Sequence, residues 1–418
     1  MKRPPAPPFI LVTLLLDVMS FGLLLPVLPA LVGEFTSSRD AQTYWYGAMI
    51  VTFGLTQFFC APVLGALSDR FGRRPVLLGS IFGLGTMFLW SALATSLTGL
   101  LLARIFGGLL AANYAVANAY VADLTTPENR ARSFGLIGAA FGIGYLIGPM
   151  VGGLLGSIDV RLPFYAAAAL SLANFAYGYF VVPESLPESR RRPFEWRRAT
   201  PLAALRGLVR LKSVGVLVAV IAFANLAQFI LHGTWVLYTD FRFGWGPRET
   251  GLSLFVVGLM AAVVQGGLLG RLLKLFGERR VVIAGLASGM LAYLAYGLCT
   301  AGWAMYAIIV CNVLAFAVGP ALSAIVSKAT DPSEQGVAMG SLTSLNSLMA
   351  VAAPFIGTPL LAEFSHLPAG DWRIGAPFFM SSALALVALL LAAWHFARQP
   401  LPAAPHIGDS GRVGGLGH

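Results

Sequence analysis

Twelve apolar stretches follow one another along this 418-residue chain, with only short polar joints between most of them. A helix needs roughly 20 apolar residues to cross the hydrocarbon core of a bilayer. The stretches fall near 9–32, 44–67, 75–95, 98–122, 134–156, 162–182, 214–238, 250–272, 280–299, 302–326, 336–361 and 375–396. This pattern predicts an all-α integral membrane protein with 12 transmembrane helices. Only 11% of the residues are charged, where a soluble domain carries about 25%.

The charges sort by side. Of 28 Lys and Arg residues, 22 lie in the joints on the side of the amino terminus. Five (Arg39, Arg161, Arg242, Arg248 and Arg373) lie on the other side, and Arg104 lies inside the fourth stretch. Basic loops remain cytoplasmic, so both termini are expected there, with the chain multi-pass in the cell membrane. The net charge of +10 is then an orientation signal beside anionic lipid, and no nucleic-acid partner is expected. The first apolar run continues past residue 30 without a clear small-residue cleavage site, and it reads as a retained span rather than a signal peptide. Cys60, Cys299 and Cys311 sit in apolar stretches with no CxxC pair and read as free buried thiols.

The sequence repeats itself at an offset of 205 residues. Gly65, Leu67, Phe71, Gly72 and Arg74 fall on Gly270, Leu272, Phe276, Gly277 and Arg279. Pro127, Gly135, Pro149 and Gly152 fall on Pro332, Gly340, Pro354 and Gly357. The polar segment 183–213, rich in Pro and Arg, divides the stretches six and six. The expected organisation is two pseudo-symmetric six-helix bundles, 1–182 and 214–398. A cytoplasmic linker at 183–213 joins them, with a short surface helix near 201–211. A disordered Gly- and Pro-rich tail follows at 399–418. Transporters built from parallel repeats hold substrate between the halves and rock one half against the other.

A few polar residues interrupt the apolar stretches. Asp17 is the one acid clearly deep in a span, where an ionised and unpaired carboxylate costs several kcal/mol. It is suited to take up and release a proton; the alternative is a structural acid hydrogen-bonded to a neighbouring helix. Thr13, Asp17 and Ser20 share one helical face, as a cavity lining would. Arg104 is the one buried cation, and Asn118 roughly shares its face. The alternative for Arg104 is a topological arginine snorkelling outward. On the fifth span Gly144, Gly148, Gly152 and Gly156 form a bare ridge for close helix packing, with Pro149 inviting a bend and Gly153 beside it. On the seventh, Asn225, Gln228, His232 and Trp235 form a polar and aromatic stripe that would be costly against lipid and is expected to face a central cavity. Gln57, Asn312 and Asn346 are further candidates for that lining. Asp69 ends the second span, where a helix C-terminus disfavours an anion; it calls for a cationic partner such as Arg73, with Asp123 close by at the end of the fourth span.

These residues fall in stretches that resemble a known family. "GALSDRFGRRP" (65–75) resembles the signature loop of the major facilitator superfamily. "LDVMSFGLLLPVLP" (16–29), "LLARIFGG" (101–108) and "GYLIGPMVGG" (144–153) resemble the first, fourth and fifth helices of its drug:proton antiporter branch, with Gly107 where a Gln is usual. Residues 9 to about 396 are most similar to tetracycline-efflux proteins. The resemblance implies a conformational latch built from Gly65, Asp69, Arg70, Arg73 and Asp123, bridging the two bundles and holding the outward-open state. In the second copy Lys274 and Lys328 replace Asp69 and Asp123, so that latch is expected to be degenerate. The resemblance also implies proton coupling through Asp17 and Arg104, and an antiporter-motif helix at Gly144, Gly148, Pro149, Gly152 and Gly153.

The implied function is a proton-coupled secondary transporter that exports small organic compounds, drug-like or tetracycline-like, across a bacterial inner membrane by alternating access. The alternative is the same fold moving a sugar or other metabolite, as a proton symporter. Met87 and Gly289 stand where tetracycline-efflux proteins have acids, and Ala261 where they have a histidine, so a more neutral or apolar substrate is expected. The sequence has no HExxH, no metal-spaced Cys/His cluster and no Walker loop. Accordingly no enzymatic activity, metal or cofactor is expected. The partners are a small-molecule substrate, protons and the lipid bilayer, and the expected state is a monomer.

Overall fold

The computed structural model describes residues 8–125, 127–194, 200, 215–330 and 335–398, and every regular element among them is helical. The surface helix expected near 201–211 and the tail at 399–418 lie outside the described residues.

The first span is broken. Helix α1 (Pro8–Gly22) loosens at residues 23–27 and re-forms as α2 (Leu28–Gly33). Pro26 has no N–H to offer, and the backbone bridges it with short-range bonds, Leu25 N–H to Gly22 O at 3.2 Å and Val27 N–H to Leu24 O at 3.1 Å. Helix α3 (Arg39–Phe71) begins on a Ser38 cap and runs 33 residues, about 50 Å at 1.5 Å per residue. Gly72, at φ +108°, turns the chain at once into α4 (Arg73–Leu93), a backbone conformation that glycine adopts without strain. Helices α5 (Leu97–Leu110) and α6 (Asn113–Leu124) form one span broken at Ala111 and Ala112. Helices α7 (Pro127–Gly156) and α8 (Leu162–Val181) complete the half.

The second half repeats the plan. It runs through α9 (Gly215–Phe243), then α10 (Pro247–Val263) joined by a π turn (Val264–Leu268) to α11 (Leu269–Phe276). Helix α12 (Glu278–Leu298) follows, then α13 (Gly302–Cys311), a 3-10 stretch (Val313–Ala317) and α14 (Val318–Ala329). Helices α15 (Gln335–Phe364) and α16 (Ala376–Arg398) end it. Ten helices among the described residues are long and apolar enough to cross a membrane, and eleven if α13 and residues 313–329, bent by 49°, count as one. The twelfth expected span is α1, whose shorter apolar part is prolonged by residues 23–33. In lipid each of these backbones must satisfy its own hydrogen bonds, which a helix does.

The 205-residue offset is visible in the backbone. Gly72 and Gly277, at φ +108° and +77°, make the same turn. Pro149 and Pro354 both lie inside helices. Thr125 Oγ1 donates to Val121 O at 2.8 Å and Thr330 Oγ1 to Val326 O at 2.7 Å, closing equivalent helix ends.

One apolar core joins the halves on the side away from the basic joints, with Leu23, Val27, Tyr46 and Met49 alongside Trp235, Tyr238 and Leu361. Nearer the basic joints each half has a core of its own, around Leu77, Val116 and Tyr120 in the first and Leu217, Val282 and Ala321 in the second. Helix α3 packs on α15, and α7 on α10. A Cβ on Gly47 would lie 2.5 Å from Thr358 Oγ1, and one on Gly251 2.5 Å from Pro149 O. Toward the basic face, a Cβ on Gly65, Gly142, Gly266 or Gly270 would meet nothing within 4 Å. The halves therefore touch on the far side and part toward the basic face. The three cysteines are free but none is buried: Cys60 and Cys299 are half-buried and Cys311 is exposed. In a membrane helix an apolar sequence context fits lipid contact as readily as a core, because lipid tails are as apolar as leucine.

Candidate functional site

Asp17 sits in the middle of α1, and Asn113 Nδ2 donates to its Oδ1 at 2.6 Å. The break in the fourth span places Asn113 there, as the first residue of α6. Gln57 Nε2 donates to the Ala111 carbonyl freed by that break, at 3.3 Å, as a side chain does at a helix end. Gln57 thus supports the break rather than lining the cavity described below. Asn113 is buried, and its own Oδ1 has no hydrogen-bond partner among the described residues. Asn174 on α8 donates to Thr13 O at 2.9 Å and ties a third helix to α1. The expected Thr13–Asp17–Ser20 lining needs correction. Thr13 and Ser20 are buried, and they return their hydroxyls to Phe9 O (3.1 Å) and Leu16 O (2.8 Å) of their own helix. A hydroxyl satisfied four residues back packs against neighbours without needing water.

Arg104 on α5 is 4% exposed, and its Nη2 has no partner among the described residues. Its guanidinium lies over the Phe53 ring, 6.0 Å from the centroid; no contact joins it to Asp17. One turn on, a Cβ at Gly107 would lie 2.6 Å from Met87 Cγ. The two departures from the resembled pattern, Met87 and Gly107, are therefore one packing event between α4 and α5.

The charged loop after α3 is tightly netted. Arg73 Nη1 lies 2.6 Å from Asp69 Oδ1 and donates to Ser68 Oγ at 2.6 Å, and its Nε donates to Asp123 Oδ2 at 3.1 Å. The start of the linker closes over it: Glu184 Oε1 and Oε2 accept the backbone N–H groups of Arg73 (2.9 Å) and Arg74 (3.2 Å). Arg192 N–H donates to Asp69 O at 3.0 Å, and Ser185 Oγ to Asp123 at 3.4 Å. These contacts of Asp69, Arg73 and Asp123 lie within the first half and the linker, not across the bundles. The halves have parted at this face, and for the same reason no helix approaches Gly65. Arg70 is exposed, its guanidinium over the Phe71 ring at 5.1 Å. The second copy is not empty of partners: Lys328 Nζ donates to Glu278 Oε1 at 2.5 Å.

The glycine ridge divides between two neighbours. Cβ atoms on Gly144 and Gly148 would lie 2.9 Å from Val18 Cβ and from Met19 O of α1, and one on Gly152 would meet Leu23 O. Gly153 faces the other half, where its added Cβ would lie 2.9 Å from Gly251 Cα. Pro149 stands between these sets, its carbonyl against Gly251.

A cavity of about 470 Å³ opens in the second half. Asn225, Gln228, His232 and Trp235 line it from α9, with Asn312 and Asn346 opposite. Asn118 lies outside this lining. Asn225 Nδ2 donates to Asn346 Oδ1 at 2.6 Å, and Tyr293 OH to Gln228 Oε1 at 3.1 Å. Gln228 Nε2 and His232 Nε2 lie 3.0 Å apart, and Ser288 Oγ donates to Asn312 Oδ1 at 2.8 Å. Trp235 turns its N–H away, to Ser253 Oγ at 3.0 Å. Sequence reasoning missed Tyr293, which looks like any core aromatic. It also missed Gln265, placed on the lining by the π turn; such turns gather at functional sites, and the Gln-Gly-Gly within an apolar run was the available signal. Among the described residues the lining carries no Asp, Glu, Lys or Arg. Carboxamides donate and accept, so this wall suits an uncharged, hydrogen-bonding surface. Among the described residues no group of three His, Cys, Asp or Glu is placed to hold a metal ion.

Comparison with known proteins fits this geometry. The sequence matches the Major Facilitator Superfamily over residues 10–354 and again over 268–413. It is 39% identical to the tetracycline resistance protein, class C, of Escherichia coli over 386 residues, covering 92% of this chain and 96% of the relative. It is 35% identical to the class D protein of Salmonella ordonez over 395 residues, covering 94% and 97%. The fold superposes on the crystal structure of the human organic anion transporter MFSD10 (TETRAN) with a TM-score of 0.67 at 27% identity, covering 92% of this chain and 98% of that one.

Proposed function

The chain belongs to the Major Facilitator Superfamily, and from that premise we propose that it exports a small organic molecule in exchange for protons by alternating access. The bundles 1–182 and 214–398 are the units that rock, and the chain works as a monomer. The excess of basic residues on one face supports a cytoplasmic position for that face and for both termini. The parting of the halves there is then the opening through which cargo enters from the cell.

The observation that carries this reading is Asp17, a carboxyl group in the middle of a span whose one polar side-chain partner among the described residues is Asn113. Its Oδ1 is occupied by the amide, so Oδ2 is the atom that takes the proton. Loading it removes an ionised group from the apolar middle of α1, and with it the cost of carrying that charge through the bilayer as the halves exchange faces. The carboxamide wall of the second half receives the cargo. A wall without charge supports a substrate that presents a neutral, hydrogen-bonding face, since a buried ion without a partner is costly. The names of the bacterial relatives make tetracycline the first compound to try. Arg104 serves as the fixed positive charge beside the path, and the Arg73 latch sets which face is open.

Asp17→Asn is expected to abolish gradient-driven efflux while membrane insertion and thermal stability stay near wild type. Tetracycline accumulation in cells, with and without a protonophore, measures it; undiminished gradient-dependent efflux in that variant removes Asp17 from the mechanism. Gln228→Leu, which deletes the bonds to His232 and Tyr293, is expected to raise KM about tenfold or more with a smaller change in kcat, as loss of ground-state binding does.

A further inference from the structure

Asn113 is half used. Its amide N–H is engaged with Asp17 Oδ1, while its Oδ1 is a buried acceptor with no partner among the described residues. Buried polar atoms are almost always paired, and an unmade bond at such an atom is destabilising. The adjacent carboxyl group supplies the missing donor in one condition only. An ionised carboxylate is acceptor-only, whereas the neutral acid has one O–H to give. With a proton on Oδ2, Asp17 and Asn113 close a ring of two parallel hydrogen bonds, amide N–H to acid carbonyl and acid O–H to amide carbonyl.

We propose that Asn113 is a positioning residue that recognises the protonated form of Asp17 as an acid–amide pair, tying α6 to α1 by two hydrogen bonds when the carboxyl is neutral and by one when it is charged. This rests on the reading of Asp17 as the proton site. No bond other than the acid O–H forms or breaks, and the proton comes from water on the open side. Helix α1 packs against α6, α7 and α8. The described titratable side chains of those helices are Tyr120 and Asp123, Tyr145, and Tyr165, Tyr177 and Tyr179. None of them hydrogen-bonds to Asp17; Tyr120 donates to Pro183 O and Asp123 accepts from Arg73. Nor does Arg104 on α5. The pairing also has a route outward. Helix α6 begins at Asn113 and carries Asp123, the Arg73 partner, ten residues on, about 15 Å along one uninterrupted helix. The break at Ala111 and Ala112 separates that rod from α5.

Infrared difference spectroscopy on the purified full-length protein, titrated across the range in which a carboxyl band appears, tests this without any cargo. The band of protonated Asp17 is the one lost in Asp17→Asn. In wild type it is expected at the low wavenumber of a doubly hydrogen-bonded acid. In Asn113→Leu and Asn113→Ala it is expected to move to higher wavenumber, and its presence reports a folded site. Side-chain 13C-asparagine in the wild-type protein gives a second measurement that needs no substitution at 113: the asparagine amide carbonyl is expected to shift down as the Asp17 band appears. If no titrating band disappears in Asp17→Asn, the proton-site reading itself falls. If the band is there but keeps its position in both Asn113 variants and no asparagine carbonyl responds, Asp17 stands as the proton site and the acid–amide pair is overturned.

Discussion

The turns after α3 and after α11 share a backbone and carry opposite charges. Gly72 and Gly277 make the same positive-φ bend, but at the 205-residue offset Asp69, Arg73 and Asp123 become Lys274, Glu278 and Lys328. In the first turn Arg73 stands at the start of α4 and Asp123 in the last turn of α6, each at the helix end whose dipole opposes its charge. In the second, Glu278 opens α12 and Lys328 sits in the last turn of α14, each where the dipole favours it. The Glu278–Lys328 pair forms with little help, and Lys328 is 71% exposed. Arg73, 12% exposed, is held by Asp69, Ser68 and Asp123, with Glu184 answering the α4 terminus. Lysine in place of both acids looks like decay until Glu278 is seen in the place of Arg73; the copy is inverted rather than lost. On the proposed reading, the difference marks the first turn as the switch. A pair opposed by its helices and kept by outside contacts is released when those contacts change, and a pair aligned with its helices is not.

That contrast is open to direct attack. Arg73→Ala should have the largest effect, destabilising the purified protein by about 2 kcal/mol, because it strands two carboxylates and a serine at a half-buried site; thermal unfolding in detergent measures it, and a loss no greater than that of Lys328→Ala would erase the distinction. Glu184→Gln should cost about 1 kcal/mol, the usual worth of a helix N-cap, and should raise hydrogen exchange at the amides of Arg73 and Arg74 while leaving those of Glu278 and Arg279 unchanged. Lys328→Ala should cost no more than about 0.5 kcal/mol, the range of an exposed pair, and high salt should weaken the Glu278 site more than the Arg73 site. The smallest effect is on the far face. Asp371 is hydrogen-bonded by Arg373, which lowers its carboxyl to about 2. Any stability it lends is therefore complete above the ordinary carboxylate value of 3.8 and is lost as pH falls through about 2, so Asp371→Asn should lower the unfolding temperature slightly at neutral pH, and the difference from wild type should vanish below about pH 2.

The sequence revealed the spans because lipid demands long apolar helices, and it revealed the repeat because Gly and Pro mark turns and bends that both halves share. The seventh-span stripe was readable for the same reason, since Asn225, Gln228 and His232 recur at helical spacing. What could not be read were partners set by tertiary contact. Asn113 lies 96 residues from Asp17, and the break that delivers it falls at two alanines, the strongest helix formers. Gln57, reaching across from α3, holds that break, and no local pattern announces it. Glu184 lies 111 residues from Arg73, in a linker whose charges, read alone, looked like surface. The Thr13–Asp17–Ser20 face misled because period alone does not distinguish a lining from a packed seam.

The Met87 side chain lying over Gly107 limits how either position can change. Restoring an acid at 87 alone would place it where the side chain is fully buried, and restoring a glutamine at 107 alone would drive its first carbon into Met87. Each single step is uphill, so a mutagenesis screen of one residue at a time will report both positions as intolerant.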